Sequence, residues 1–180
     1  MKKLAVVVLL SAFSAAPALA ENTGSFYMAA DFGSANYLNV PGFDNPSVAR
    51  ISGGVYLSPF TALEIGYSSF GDSTGPVSFG YDTISASSFQ VAAIAALPVA
   101  PQFDLIGKFG LVSNHEDESF SDGTTASHNR SDLLIGFGAQ VHLNSQVSVR
   151  ALYDYYGKFD NYYPPLKASS VSLGVVYSFY

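Results

Sequence analysis

Residues 49–67 read ARISGGVYLSPFTALEIGY, and this stretch decides the fold. Its first half alternates Ile51, Val55 and Leu57 with residues that are mostly small or polar, and the alternation resumes beyond Pro59. Apolar residues at every second position are typical of a β-strand with one apolar face. A proline between two such runs indicates a tight turn. The stretch therefore predicts an antiparallel hairpin whose two strands share one apolar face.

The same period of two recurs along the chain and predicts eight strands of about ten residues each. The segments that show it span residues 26–33, 49–58, 61–70, 89–97, 103–111, 132–143, 149–155 and 171–179. The connections between these segments alternate in length. Long polar connections span residues 34–48, 71–83, 114–131 and 158–167, and tight turns span 58–60, 98–102 and 144–146.

This sorting of connections by length separates two fold classes. A soluble sandwich, the alternative, has no reason to place its short loops at one end. A bacterial outer-membrane barrel has short periplasmic turns and long external loops. We therefore predict an all-β fold, an eight-stranded antiparallel up-and-down transmembrane β-barrel, with both ends of the barrel domain on the periplasmic side.

Composition agrees with this prediction. Of the 180 residues, 48% are hydrophobic, 12% are charged and none is cysteine. These proportions exclude a disordered chain, a disulfide scaffold and a thiolate metal site. After residue 20 no segment reaches the run of about 18 apolar residues that a spanning helix requires. If the exported chain lies in a membrane, it crosses with strands.

The first twenty residues form a separate segment. Lys2 and Lys3 precede an apolar run, and residues 18–20 give the small-x-small pattern that signal peptidase cleaves. We expect a cleavable signal peptide over residues 1–20 and the barrel domain over residues 21–180. The alternative is a membrane anchor, but the run is too short to cross a hydrocarbon core of about 30 Å. Without these two lysines, residues 21–180 contain six basic and 14 acidic residues. The resulting formal net charge of −8 excludes a nucleic-acid partner.

All charged side chains of the eight predicted strands fall on one face. Charges are costly against hydrocarbon, so this face is predicted to line the lumen. An eight-stranded barrel is just wide enough for its own side chains to fill it, and an isolated buried charge is strongly unfavourable. We therefore predict a luminal network of mutually paired charges, in which Glu64 binds Lys108 or Arg150. Its members are Asp31, Arg50, Glu64, Lys108, Arg150 and Asp154, and Asp104 and Asp132 share the same face.

Residues 53–67 resemble the second hairpin of the OmpA-type eight-stranded transmembrane domain, with Gly-Gly, the turn proline, an inward Glu and a Gly-Tyr pair at the family spacing. Residues 26–33, 108–110 and 150–156 resemble strands one, five and seven of that family. Residues 172–179 fit the terminal pattern read by the barrel assembly machinery. The resemblance implies that Gly174, Tyr177 and Phe179 form an assembly signal.

Two departures from that family follow from the same comparison. The sequence stops at Tyr180, directly after strand eight, so we expect no peptidoglycan-binding domain. Glu64 occupies the acidic position of the family's luminal charge network, but the matching positions on strands four, seven and eight hold Ile94, Leu152 and Ser178. This difference argues against a switchable ion-pair gate.

Catalytic and metal-binding alternatives have little support in the sequence. A lipid A-modifying barrel enzyme needs a nucleophile, a base and an acid, and none of the histidines is expected to share a face with a serine and an acid at suitable spacing. A long loop carries Glu116, Asp117, Glu118 and Asp122, flanked by His115 and His128, without the spacing of a calcium loop. We interpret it as a solvated external loop that meets lipopolysaccharide phosphates through bridging cations.

We expect a monomeric protein of the bacterial outer membrane with a structural, surface-exposed role. Recognition is assigned to the long loops, and we expect no catalysis, cofactor or bound metal. The partners are outer-membrane lipids, lipopolysaccharide and the barrel assembly machinery. The alternatives are a narrow porin-like channel for small solutes or ions and, less favoured, the lipid A-modifying enzyme.

Overall fold

A computed structural model describes residues 23–38, 45–77, 80–119, 125–159 and 167–179. The predicted signal peptide, Tyr180 and the central parts of the external connections lie outside these residues. No helix in the described part of the chain is long and apolar enough to cross a bilayer.

The described residues form eight antiparallel strands in a closed barrel, which confirms the predicted fold class. Each strand pairs with its neighbours in sequence, and the first pairs with the last, so no strand edge is left open. The strands are β1 Phe26–Leu38, β2 Ser47–Ser58, β3 Thr61–Val77, β4 Gly80–Ala100, β5 Phe103–Ser119, β6 Thr125–His142, β7 Val147–Lys158 and β8 Lys167–Phe179.

The alternation in sequence becomes an alternation of environment. Large apolar side chains face outward along every strand, among them Phe32 and Leu111, each about two-thirds exposed at 66% and 65%. Their neighbours on the other face are buried in the lumen. A soluble domain with this much exposed apolar surface would aggregate, whereas hydrocarbon solvates it without cost.

The three predicted tight turns join strands at one end of the barrel. Ser58 and Thr61 close the first through a hydroxyl hydrogen bond of 2.7 Å. In the third, the Asn144 side chain accepts the backbone N–H groups of Gln146 and Val147, at 2.8 Å each. An asparagine that satisfies its own turn in this way fixes the hairpin with few residues.

The strand lengths correct the sequence analysis. Strands of about ten residues were expected, but the observed strands have 12 to 21 residues. Most of residues 71–83 and 114–131, predicted as polar loops, belong to β3, β4, β5 and β6. The reason is physical: beyond the apolar band both outward and inward positions carry polar residues, so the strands continue after the hydrophobic alternation has ended.

The lumen is filled in three layers. The layer near the tight turns contains Tyr27, Tyr56 and Val176, all buried. The middle layer consists of charged side chains, described below. The layer toward the long connections packs aromatic rings with aliphatic side chains, and its largest members are Tyr37, Phe70, Leu134, Tyr156 and Phe159.

Candidate functional site

Six charged side chains meet in the middle of the lumen and form a closed ring of alternating sign. They are contributed by five strands, β1, β2, β3, β5 and β7. In order around the ring they are Lys108, Glu64, Arg150, Asp31, Arg50 and Asp154. These are the six residues that the sequence analysis assigned to the luminal network.

The acid contacts in this ring are short. Glu64 contacts the Lys108 ammonium at 3.1 Å and Arg150 at 2.8 Å. Both partners considered for Glu64 from the sequence thus bind it at once. Arg150 also donates two hydrogen bonds of 2.8 Å to the two oxygens of Asp31. Bidentate arginine–carboxylate pairs of this kind fix geometry as well as charge.

Arg50 and Asp154 complete the ring. Arg50 donates to Asp31 at 3.0 Å and also pairs with Asp154. Asp154 lies 3.7 Å from the Lys108 ammonium, which closes the cycle. Three cations and three carboxylates give the ring a net charge of zero, and every member is at least 96% buried.

Glycines make these contacts possible. On β8, Gly174 pairs in register with Asp31 on one side and with Arg150 on the other. A Cβ on Gly174 would overlap the Asp31 carboxylate, so the two side chains meet only because Gly174 has none. Gly136 lies in the same way between Lys108 and Asp154, and Gly54 between Tyr27 and Glu64.

Neutral groups add hydrogen bonds to two members of the ring, Glu64 and Arg150. The Tyr27 hydroxyl donates to Glu64 at 3.0 Å, and Arg150 donates to the Ser52 hydroxyl at 3.1 Å. Such partners lower the cost of keeping ions away from water. They also connect the charged layer to the layer of Tyr27 and Tyr56, whose rings pack 5.0 Å apart between centroids.

The aromatic layer on the other side of the ring is tightly packed. Phe70 packs edge-on against Tyr156 and against Phe159, with centroids 5.1 and 5.7 Å apart. Tyr37 packs against Phe159 at 6.5 Å. Sequence reasoning missed this layer because Tyr37 and Phe159 lie in segments predicted as loops. For Tyr37 the available signal was spacing, because it continues the inward series of Ala29, Asp31 and Ala35. Phe159 gave no such signal, because a register shift between Tyr155 and Lys158 changes the parity of β7.

The family positions that lack charges hold packing residues. Leu152 is buried and Ile94 packs against the layer of Tyr27 and Tyr56. Ser178 is hydrogen-bonded to the Tyr56 hydroxyl at 3.3 Å. The acid at Glu64 is therefore satisfied by Lys108 and Arg150, not by residues at these positions.

A second polar cluster lies at the end of the barrel with the tight turns, and it corrects the sequence analysis. His142 contacts Ser148 through Nδ1 and Asp104 through Nε2, each at 2.9 Å. A serine and an acid therefore do share a face with a histidine, contrary to expectation. Direct pairing of His142 with Ser148 across β6 and β7 produces this contact, and only the strand register reveals it.

The geometry of this cluster does not suit a nucleophile. Ser148 is buried, and the luminal cavity that borders Asp104 has a volume of about 30 Å³. A space of that size accommodates a water molecule, whereas an acyl ester needs several times more. The chain of hydrogen bonds ties β5, β6 and β7 together at the rim of the barrel.

The acidic segment near residue 116 also differs from its interpretation as a solvated loop. Glu116 lies on β5, faces the lumen and is fully buried, because it continues the inward series of Lys108 and Asn114. Asp117, by contrast, is exposed. Its hydrogen bond from Ser127, together with the nearby His115, holds its pKa below the ordinary value. Asp122 lies outside the described residues. In the described ranges no three His, Cys, Asp or Glu residues are grouped so as to hold a metal ion.

The residues of the expected assembly signal lie on β8. Tyr177 and Phe179 face outward, with their rings 4.9 Å apart and edge-on. Gly174 faces inward beside Asp31. The two aromatic residues are thus accessible from the membrane, whereas the glycine serves the luminal ring.

Comparison with known proteins agrees with this architecture. A search of curated protein sequences finds no match. Among solved structures, the barrel is similar to Neisserial surface protein A, with a TM-score of 0.68, 19% sequence identity, and coverage of 86% of this chain and 97% of that one. It is also similar to the N-terminal barrel domain of Pseudomonas aeruginosa OprF, with a TM-score of 0.64, 17% identity, and coverage of 87% and 98%.

A third similar structure is Ail, the attachment invasion locus protein of Yersinia pestis, in complex with the heparin analogue sucrose octasulfate. Its TM-score is 0.62 at 16% identity, with 88% of this chain and all of that chain covered. At these identities the likeness concerns the fold. The family model for the outer membrane protein beta-barrel domain matches residues 5–179, nearly the whole sequence. The chain therefore belongs to the outer membrane protein beta-barrel family and is located in the bacterial outer membrane.

Proposed function

We propose that this protein is a non-conducting, non-catalytic barrel that holds a rigid recognition surface at the outside of the outer membrane. One observation carries the proposal. The lumen is occupied by a neutral ring of six buried charges between two packed apolar layers. An ion entering this lumen would have to leave its hydration shell and separate bound pairs, which is costly in a medium of low dielectric constant.

The external hairpin of β5 and β6 supports a recognition role. His115 contacts Asn129 at 2.8 Å and Asp117 at 3.2 Å, and these side chains lie on the outward face of the hairpin. Polar groups that are already held in place lose little conformational entropy when they bind a partner. The complex of Ail with the heparin analogue sucrose octasulfate illustrates that a barrel of this fold can bind a ligand.

Conductance measurements test the proposal against its main alternative, a narrow channel. We expect the full-length barrel, reconstituted in planar bilayers, to give no unitary currents. Glu64→Ala tests the charged ring, and Asp117→Asn on the exposed hairpin serves as the matched control. Reproducible currents in the unmodified protein that change with Glu64→Ala, but not with Asp117→Asn, would overturn the non-conducting assignment.

A separate measurement tests the absence of catalysis. Because Ser148 is buried, we expect no adduct when the folded barrel is incubated with a serine-reactive fluorophosphonate. Labelling of Ser148 that disappears in His142→Ala would support the enzyme alternative instead. Mass spectrometry of lipid A from cells that overproduce the protein provides the second readout, and we expect an unchanged spectrum.

A further inference from the structure

The distribution of basic residues points to a site outside the lumen. Residues 21–180 contain six lysines and arginines, of which three belong to the luminal ring. Arg130 lies on the inward-facing side of β6 and has interactions of its own. The remaining two, Lys158 and Lys167, are found together at the ends of β7 and β8.

These two lysines face the same way and lie directly opposite each other. Lys158 pairs in register with Lys167 across β7 and β8. Their neighbours Phe159 and Ala168 are fully buried in the lumen, so both lysines point away from it. Like charges directly opposite each other in a sheet are destabilising unless something neutralises them.

No carboxylate in the described residues neutralises this pair. Neither ammonium group has an acidic oxygen within 4.0 Å among those residues. Asp132, the acid beside Lys158, instead accepts backbone N–H groups, from Lys158 at 2.9 Å and from Leu133 at 2.8 Å. On the other side, Lys167 adjoins β1, where Leu38 is its partner and Asn36 pairs with Ser169. These neighbours add no negative charge.

The height of the pair is set by the apolar band below it. Outward residues of β8 run from Phe179 through Leu173 to Val171, all exposed, before Lys167 is reached. Twelve residues of strand tilted by about 40° rise about 30 Å, slightly more than the apolar band of about 25 Å in such barrels. The lysines therefore lie just beyond the hydrocarbon, at the level of lipid headgroups.

The other three external hairpins mark the same boundary with a different residue type. Each carries two serines directly opposite each other where its apolar alternation ends. The pairs are Ser34 with Ser47, Ser69 with Ser87, and Ser113 with Ser131. Among the described strands, only the β7–β8 hairpin places two cations opposite each other near this boundary, one outward pair beyond Tyr155 and Ser169. The barrel thus has one positively charged sector at its external boundary.

We propose that Lys158 and Lys167 bind the phosphate of an outer-leaflet lipopolysaccharide, whose acyl chains lie on the apolar face of β7 and β8 below them. The proposal rests on the membrane orientation used in the proposed function. A lipid phosphate is multiply charged, lies at this height, and accepts hydrogen bonds from two ammonium groups at once. Tyr153 and Val171, which pair across the two strands, provide the apolar surface beneath.

Binding of lipid A to the folded barrel in zwitterionic micelles, followed by native mass spectrometry, tests this proposal. Each lysine near a membrane surface contributes about a fivefold gain in affinity for anionic lipid, so K158Q with K167Q is expected to weaken lipid A binding by about 30-fold. K158R with K167R should keep most of the affinity. S69Q with S87Q, at the outward serine pair of the β3–β4 hairpin, should leave it unchanged.

Two further arms identify the ligand. Dephosphorylated lipid A should bind the unmodified protein as weakly as lipid A binds the double glutamine variant. Inorganic phosphate at about 10 mM should not displace lipid A, because it lacks acyl chains. Equal lipid A affinity of the unmodified and double glutamine proteins, or full displacement by inorganic phosphate, would overturn the proposal. Neither result would affect the conductance test, so the two proposals fail separately.

Discussion

The charged ring allows a quantitative prediction about the pair Glu64 and Lys108. At an effective dielectric constant of about 20, opposite charges 3.1 Å apart attract each other by about 5 kcal/mol. Removing one partner of such a buried pair costs about 3–5 kcal/mol, because the other charge stays buried without its counterion. We therefore expect Glu64→Gln and Lys108→Met each to lower the free energy of unfolding by about 3–5 kcal/mol.

The double variant should be far milder than the two single changes suggest. With both changes the ring keeps Arg150, Asp31, Arg50 and Asp154, which remain connected and sum to zero charge. The glutamine oxygen can still accept the hydrogen bond from Tyr27. We expect a total cost of about 2 kcal/mol, which corresponds to a coupling of at least about 4 kcal/mol between the two sites.

Urea unfolding of the barrel in lipid vesicles provides the measurement. The chain contains no tryptophan, so unfolding is followed by far-ultraviolet circular dichroism and by the mobility shift of the folded barrel on gels. Asp117→Asn, at an exposed site, is the control and should change stability by less than about 0.5 kcal/mol. If the single costs add to within about 0.5 kcal/mol in the double variant, the lumen is hydrated and its charges are screened, and the closed-ring argument is refuted.

Two other predictions concern backbone spacing and assembly. Gly136→Ala places a methyl group against the Asp154 carboxylate and should lower the free energy of unfolding by about 1–3 kcal/mol in the same urea assay. Gly107→Ala, where a methyl group meets nothing within 4 Å, should be nearly neutral. Equal effects of the two substitutions would contradict the role of glycine as a spacer. Tyr177→Ala with Phe179→Ala should slow insertion by purified assembly machinery in proteoliposomes, since both side chains face the membrane from β8. Phe26→Ala, on the adjacent strand and opposite Phe179, should not slow insertion. An equal delay with Phe26→Ala would contradict an assembly signal specific to Tyr177 and Phe179.

The sequence was sufficient to predict the barrel and the inward face of every strand. Within the apolar band a strand has only two faces, and a charged side chain is costly on the face that contacts hydrocarbon. Once Leu63 and Ile65 are assigned to the outside, Glu64 must face the lumen. The same parity argument places Lys108 and Arg150. The strand faces therefore followed from alternation alone.

The partners within the lumen depend on register, which alternation does not specify. Asp31 and Arg150 are 119 residues apart in sequence and meet because both pair with Gly174. His142 and Ser148 meet because the turn at Asn144 aligns them. A turn fixes the register within one hairpin, but contacts across the lumen depend on the register of all eight strands in the closed barrel.

The strand ends were predicted less well for a different reason. Periodicity of hydrophobic residues reports the lipid boundary, where outward side chains change from Leu111 to Ser113 on β5. It does not report the end of backbone pairing, which continues to Ser119. Inward residues beyond the boundary, such as Glu116, are still buried by the opposite wall. A sequence pattern therefore locates the membrane more accurately than it locates the loops.

The layered lumen supports the proposal of a rigid, non-conducting barrel. Apolar layers alone would fill the lumen but would fix the strands only weakly relative to one another, because apolar contacts have no direction. Charged groups alone would attract water and ions. The ring is buried between Tyr56 on one side and Phe70 on the other, and its directional bonds connect five strands. We therefore expect a barrel fixed in this way to transmit no solute and to hold the external hairpins in constant positions, as the proposed function requires.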